Sequence, residues 1–350
     1  MLMTIPESID NEEALEQFLA SPYPETVEMM RDLEGDIMIL GGGGKMGPSL
    51  AQLAFTACCE ARVNKKIFSV DLFPDEEVRK KIRTSGIETI RCDLLNIDEV
   101  RTLPKVKNII FMAGRKFGEI GSETLTWMIN VIVPSNVMST FKDSNIVAFS
   151  TGCVYALVAP ESGGSVETDL PAPLGEYANS CLGRERIFQY YSEKFKIPIL
   201  LFRLNYAIDC RYGVLVDIAQ RVYNGRPVDL SVNAVNFVWQ GDANNRALLC
   251  LKHTSIPPAI LNVTGGETLS VESIAKKFAQ LFGVEVKFTG HKAGKSYLSN
   301  ANQSIKLFGP PRISSQTMIR WIADWIKRGG KSLGKPTHFE VTDGQFLSQS

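Results

Sequence analysis

Between residues 41 and 47 the chain reads Gly-Gly-Gly-Gly-Lys-Met-Gly, which sets Gly41, Gly44 and Gly47 three residues apart. Glycine at that spacing permits a tight turn, lets backbone amides approach an anion and allows a following helix to pack against the preceding strand. The run lies between an apolar stretch at 36–40 and a helical pattern at 47–61. The unpaired amides and positive end of that helix would then meet a pyrophosphate, with Lys45 and Met46 inside the cradle. Pro48 suits the first helical turn. A second apolar stretch, 66–70, runs into Asp71. That carboxylate is placed to accept hydrogen bonds from adenosine ribose hydroxyls and would repel a 2′-phosphate, so NAD is expected rather than NADP. A turn residue or cap is the other reading of Asp71. Asp93 and Leu94, closing a third stretch, could reach the adenine amine, with capping the alternative for Asp93.

The elements that must hold these residues follow from periodicity. Apolar runs at 36–40, 66–70, 89–92, 108–112, 146–150 and 197–202 alternate with helical patterns, notably 47–61, 123–141 and 178–194. Strand and helix in turn imply βαβ units and a Rossmann-type, doubly wound parallel α/β sheet. Beyond residue 204, prolines and glycines cluster and helical patterns fall near 212–224, 242–252, 270–282 and 314–327. The expected organisation is an N-terminal helical extension (1–35), an NAD-binding Rossmann domain (36–204), a smaller mixed α/β substrate lobe interleaved with the sheet (205–330) and a C-terminal tail (331–350).

Bulk composition narrows the partners. The 350 residues carry 38 Lys and Arg against 38 Asp and Glu, which argues against broad binding of nucleic acid or an anionic membrane. Seven cysteines without Cys-x-x-Cys spacing and three histidines suggest neither a disulfide framework nor a metal site. No signal-like start and no apolar run of transmembrane length is visible, so a soluble cytoplasmic protein is expected.

Further motifs follow in order. Met112-Ala113-Gly114 is a small-residue turn after the fourth strand, and Asn130 lies inside a helical pattern. Phe149-Ser150-Thr151-Gly152-Cys153-Val154-Tyr155 precedes Tyr177, with Glu185 eight residues later; Arg203-Leu204-Asn205 and Asn236-Phe237-Val238-Trp239-Gln240-Gly241-Asp242 come after it. Taken together over 36–330, these residues resemble the extended short-chain dehydrogenase/reductase superfamily, in its NAD-dependent sugar epimerase/dehydratase branch. The resemblance implies that Tyr177 is the acid/base on a sugar hydroxyl while hydride moves to or from nicotinamide, and that Thr151 hydrogen-bonds the same oxygen. It implies cofactor contacts from Ala113, Gly114 and Tyr177, an active site propped by Asn130, and a homodimer paired through the helices at 123–141 and 178–194.

The pattern departs at Tyr177-Ala-Asn-Ser-Cys181, where the family carries Tyr-x-x-x-Lys. That lysine binds the nicotinamide ribose and lowers the tyrosine pKa; an unaided phenol, at about 10, is a poor base at neutral pH. Three readings compete. Another cation supplies the field, with Lys116 foremost and Arg115 and Arg184 as further candidates. Cys181, standing at the ribose position, is itself active. Or the protein binds dinucleotide without turning it over. On the substrate side, Val235-Asn236 replaces an expected arginine, which weakens the case for a nucleoside-diphosphate sugar. Arg211 and Tyr212 could fork a carboxylate or phosphate, or be a surface turn. Asn205, Trp239 and Gln240 suit a sugar, although packing explains Trp239 equally well. Asp242 reads as the N-cap of a helix at 243–252, and His338 as either an acid/base or a structural residue. The leading expectation is an NAD-dependent epimerase/dehydratase-like oxidoreductase acting on a carbohydrate-like hydroxyl, with Thr151, Tyr177 and Lys116 catalytic. The alternative is a non-catalytic NAD(P)-binding sensor or scaffold.

Overall fold

The computed structural model describes residues 5–116, 122–291, 294–335 and 337–344. Strand β1 (Ile37–Leu40) is buried at every position. Its side chains alternate between two cores: Ile37 and Ile39 join Leu50 and Ala54, whereas Met38 and Leu40 join Phe111 and Phe188. A strand covered on both faces has no polar side to show, hence its unbroken apolar run. With β2 (Ile67–Asp71), β3 (Glu88–Arg91), β4 (Asn108–Phe111), β5 (Asn145–Thr151), β6 (Ile199–Leu204) and β7 (Ala259–Val263) it forms a sheet ordered β7-β6-β5-β4-β1-β2-β3. Every neighbouring pair is parallel. The chain leaves β1 for β2 on one side and resumes at β4 on the other, which opens a crevice beyond their carboxyl ends.

Helices α1 (Glu12–Leu19) and α2 (Pro24–Asp32) precede the sheet, and α3 (Gly47–Ala61), α4 (Glu76–Thr84) and α5 (Ile97–Thr102) link its first strands. The pattern at 123–141 is not one α-helix. It divides into α6 (Glu123–Trp127), a π-helical turn (Met128–Ile132) and α7 (Val133–Thr140). The wide turn carries Asn130 at full burial; such turns recur at functional sites. They pack beside α8 (Gly175–Phe195). Beyond β6 come α9 (Val214–Tyr223), α10 (Gln240–Leu249), α11 (Val271–Phe282), α12 (Asn302–Phe308) and α13 (Ser315–Lys327).

The N-terminal helices stitch two cores together. Val27 and Met30 of α2 join the core under α3, while Leu15 and Leu19 of α1 join the second core with Trp239 and Trp321. Phe18 meets Trp321 edge-on at 5.4 Å. Strand β7, absent from the sequence expectation, brings residues of the later half into the main sheet. Its apolar run is interrupted by Asn262, which is buried and hydrogen-bonded to Ser165 O at 2.9 Å and to the Tyr155 hydroxyl at 2.9 Å.

A buried ion pair locks α8 onto the sheet. Arg203 of β6 donates to both oxygens of Glu185, at 2.9 and 2.7 Å, and to the Tyr155 hydroxyl at 2.6 Å. Ser150 donates to the same carboxylate at 2.5 Å. Both charged side chains are closed to water (2 and 0 % exposed), so removing one strands the other in a low-dielectric interior. Glu185→Ala is accordingly expected to lose about 3–5 kcal/mol in urea unfolding. A loss near zero would show that Arg203 finds water or another partner.

Candidate active site

A cleft of about 1590 Å³ opens at the carboxyl ends of the strands. Its floor is the glycine turn. Gly41 has φ +89°, and a Cβ there would stand 2.6 Å from Ala113 N, so the ends of β1 and β4 approach this closely only through glycine. A Cβ on Gly47 would strike the Gly42 carbonyl, so helix α3 and the turn meet only without a side chain. Helix α3 has no side-chain cap at its N-terminus. Gly41 and Gly42 donate to Val70 O and Gly43 to Asp71 Oδ2 at 2.9 Å, whereas the Lys45 and Met46 amides make no hydrogen bond among the described residues and border the cleft. Asp71 also accepts from Leu72 N at 2.7 Å, and its carboxylate stands at the end of β2. This is a fitting cradle for a dinucleotide pyrophosphate and ribose.

Two adenine-side expectations fare differently. Asp93 accepts from Leu95 N at 2.9 Å and its own amide is taken by Glu99, which makes it a turn residue. Leu94 is buried in the core with Val100, its carbonyl accepting from Asn136. Neither borders the cleft.

On the other wall, Thr151 at the end of β5 and Tyr177 on α8 face the same space. Thr151 Oγ1 accepts from Cys153 N at 3.2 Å. The Tyr177 phenol is pushed well above its ordinary value, first by burial and then by the Cys181 and Cys153 thiols; the Arg184 guanidinium opposes the rise. Arg184 is seven residues from Tyr177, two helical turns, and so shares its face. Its Nη1 donates to Phe149 O at 3.0 Å, and Nη2 donates to Asn130 Oδ1. A Cβ on Gly114 would lie 3.2 Å from Arg184 Cζ, so the small turn after β4 is what admits the guanidinium. Asn130 itself is sealed from the cleft. It accepts from Arg115 N and donates to Arg115 O and Ser180 Oγ, each at 2.9–3.0 Å.

The structure corrects several expectations. Cys181 is fully buried with Val154 and Tyr155 and does not border the cleft. Burial pushes its thiol up to about 11, which removes a nucleophilic thiolate at neutral pH. Lys116 does line the cleft, and its charge acts on Cys153 and Lys45; Arg184 is the cation whose charge acts on the Tyr177 phenol. Trp239 is a core residue, packed against Phe18 and Trp321. Gln240 is buried and donates to Ser49 Oγ at 3.0 Å. Arg211 binds inward, to Asp209 at 3.2 Å and Glu16 at 3.3 Å. Asp242 lies inside α10 rather than capping it, because it accepts from the Arg312 and Ile313 amides of the segment above. Asn205 and Tyr212 do border the cleft, Asn205 donating to Asn236 Oδ1 at 2.7 Å.

Sequence reasoning left the tail largely unassigned. Residues 334–335, 337–338 and 340–343 border the cleft. Thr337 donates its amide and hydroxyl to Asp217 Oδ2 at 2.8 and 2.5 Å, Phe339 is buried in the second core, and Val341 packs, as Tyr177 does, against the cluster of Cys153, Ala178 and Tyr297. A Cβ on Gly344 would stand 2.7 Å from Gly175 N, at the start of the tyrosine helix. His338 lines the cleft. Residues this far along the chain offered no motif.

Since Arg184 opposes the rise in the phenol, Arg184→Met should move Tyr177 titration further up and shift the rising limb of any pH–rate profile to higher pH. Arg184→Lys should restore part of it. An unmoved profile in Arg184→Met would assign the field to another cation.

Comparison with known proteins agrees with this arrangement. Residues 37–208 match the NAD dependent epimerase/dehydratase family. No curated protein sequence matches the chain. Among solved structures, the UDP-glucuronic acid 4-epimerase from Bacillus cereus in complex with NAD aligns with TM-score 0.71 over 85% of this chain and 100% of its own, at 20% identity. The Thermus thermophilus UDP-glucose 4-epimerase with NAD gives 0.67 over 83% and 99%, at 19% identity. The Thermotoga maritima UDP-glucose 4-epimerase with UDP-glucose gives 0.66 over 84% and 99%, at 14% identity. Identities this low establish a shared fold; the family match carries the assignment. Residues 37–208 of this chain are thus an NAD-dependent epimerase/dehydratase family domain.

Proposed function

We propose that the protein is an NAD-dependent oxidoreductase of epimerase/dehydratase type, acting on a hydroxyl of a sugar or sugar-like substrate. The supporting observation is the pairing of Thr151 and Tyr177 on one cleft with the glycine cradle, to which Asp71 is tied through the Gly43 amide. The Lys45 and Met46 amides and the Asp71 carboxylate would hold NAD, and its carboxylate disfavours NADP. Solved relatives of the same fold carry NAD and UDP-sugars.

The cofactor supplies a hydride acceptor and, when oxidised, a positive charge. The chain supplies the proton chemistry. Thr151 already accepts from the Cys153 amide, which leaves its own proton for the substrate oxygen. Tyr177 takes the substrate hydroxyl proton as a carbonyl forms and returns it when the carbonyl is reduced. Burial holds the phenol in its protonated form, so it acts as a base only when further positive charge joins that of Arg184.

The test is NADH absorbance, with product analysis, after mixing NAD-loaded protein with free, acidic and nucleotide-linked sugars. Tyr177→Phe should keep NAD binding and lose about 10²–10⁴ in turnover. A silent panel with unchanged sugars would move the binding-module reading ahead; at present the retained Thr151 and Tyr177 favour an enzyme.

A homodimer belongs to the same proposal. Leu125, Trp127, Met128 and Ile132 are exposed beside α8, which exposes Tyr190 and Phe195, and an apolar face of this kind suits a helix-paired interface. Sedimentation should give twice 38.7 kDa; a monomer mass would remove the dimer. No helix among the described residues is long and apolar enough to cross a membrane. All seven cysteines are free thiols, which supports a reducing, cytoplasmic setting.

A further inference from the structure

Lys45 stands in the phosphate-binding turn, yet its side chain leaves that turn. Its Nζ donates to Ala207 O at 2.9 Å, just beyond β6, and lies 4.0 Å above the Tyr212 ring. Gly213, Tyr206, Ser231 and tail residue Thr337 border the same end of the cleft. A side chain rooted in the cofactor cradle thus ends among residues of the substrate half.

An ammonium has three N–H donors. One is taken by Ala207 O and one side rests on the Tyr212 face. None of the ion pairs among the described residues includes Lys45. The acidic groups around it are committed elsewhere. Asp209 accepts from the Arg211 guanidinium at 3.2 Å and the Arg211 amide at 2.7 Å. Asp217 accepts from Thr337, and Glu340 pairs with Arg221 at 3.4 Å. Lys116 and Arg211 add like charge. Burial and those two cations lower the Lys45 amine to about 8, with Asp209 opposing the fall, so the group is still mostly protonated at neutral pH. A buried cation in this setting is relieved by an anion that enters the cleft.

We propose that Lys45 anchors an acidic group of the substrate, a carboxylate or phosphate carried by the sugar-like molecule, against Tyr212 at the tail-covered end of the cleft. This rests on the proposed function for the ligand class, and it moves the anion site from Arg211, whose guanidinium is neutralised internally, to the neighbouring Lys45 ammonium.

Calorimetric titration of the NAD-loaded full chain tests it, with D-glucose, D-glucuronate, D-glucose 1-phosphate and UDP-glucose, and with inorganic phosphate and acetate as minimal probes. At least one acidic ligand should bind about tenfold or more tightly than D-glucose, as a charge-assisted hydrogen bond allows. Lys45→Met should abolish the difference and Lys45→Arg should retain part of it, each variant being titrated with NAD at saturation. Which acidic ligand gains most tells carboxylate from phosphate and from a nucleotide diphosphate. The advantage should fade as pH rises above about 8, because Lys45 then gives up its proton. The proposal is overturned if no acidic probe distinguishes wild type from Lys45→Met, or if NAD affinity alone falls in that variant. Binding and NADH formation are read separately. Lys45-dependent anion binding without hydride transfer would sink the proposed chemistry and leave this inference standing. Turnover of sugars indifferent to Lys45→Met would do the reverse.

Discussion

The fork between Arg203 and Glu185 fixes the distance between the helix that carries Tyr177 and the strand that carries Thr151. Ser150, one residue before Thr151, donates to the same carboxylate. Tyr155, in the loop that follows, donates to Asn262 and receives the Arg203 Nη1 hydrogen bond. Three consecutive layers of the active-site wall therefore share one buried charge pair. Such a pair adds little net stability over a well-packed apolar substitute, because desolvating both ions offsets much of their attraction. Its consequence is geometric: the helix cannot slide along the sheet without leaving a charge unpaired.

That rigidity sets the terms on which the missing lysine is replaced. Position 181 is four residues from Tyr177 and position 184 is seven, so both lie on the tyrosine face of α8. Cys181 fills its place with a small apolar thiol under Tyr155 and Val154. Arg184 reaches past the glycine at 114 and is held by the Phe149 carbonyl and Asn130. Pinned in this way, the guanidinium sends its charge toward the phenol but does not overcome the burial that opposes ionisation. The phenol is therefore held in its protonated form, and in the proposed reaction further positive charge in the cleft would be needed to make it a base.

Most of the sheet was legible because its strands are covered on both faces and read as uninterrupted apolar runs. Helix α3 and the glycine turn were legible because their spacing has a steric reason, which the Cβ clashes at Gly41 and Gly47 bear out, whereas Gly44 meets only the Gly41 carbonyl at 3.4 Å. Strand β7 was hidden by Asn262, a polar residue whose burial depends on Ser165 and Tyr155, partners almost a hundred residues or more away. Trp239 and Gln240 looked like sugar-binding residues because aromatic and amide groups serve cores and ligands equally well; only the packing of Phe18 and Trp321 decides. Arg211 was misread for a related reason, since a guanidinium's target is set by carboxylates distant in sequence, here Glu16 as well as the nearby Asp209. The tail carries no motif at all. Its place over the cleft follows from single contacts, Thr337 on Asp217 and Phe339 in the second core.

The cations of this cleft have a common logic. Lys45, Lys116 and Arg184 all border it. Arg184 is bonded to neutral groups, a carbonyl and an amide oxygen, and Lys45 to a carbonyl. Neutral acceptors leave most of that charge unopposed, Asp209 near Lys45 aside, so the field that remains favours anions in the cleft. A single lysine four residues after the tyrosine would concentrate that field on the phenol and ribose. Distributed along the cleft instead, it would tie ionisation of Tyr177, the proposed base, to which ligands are bound.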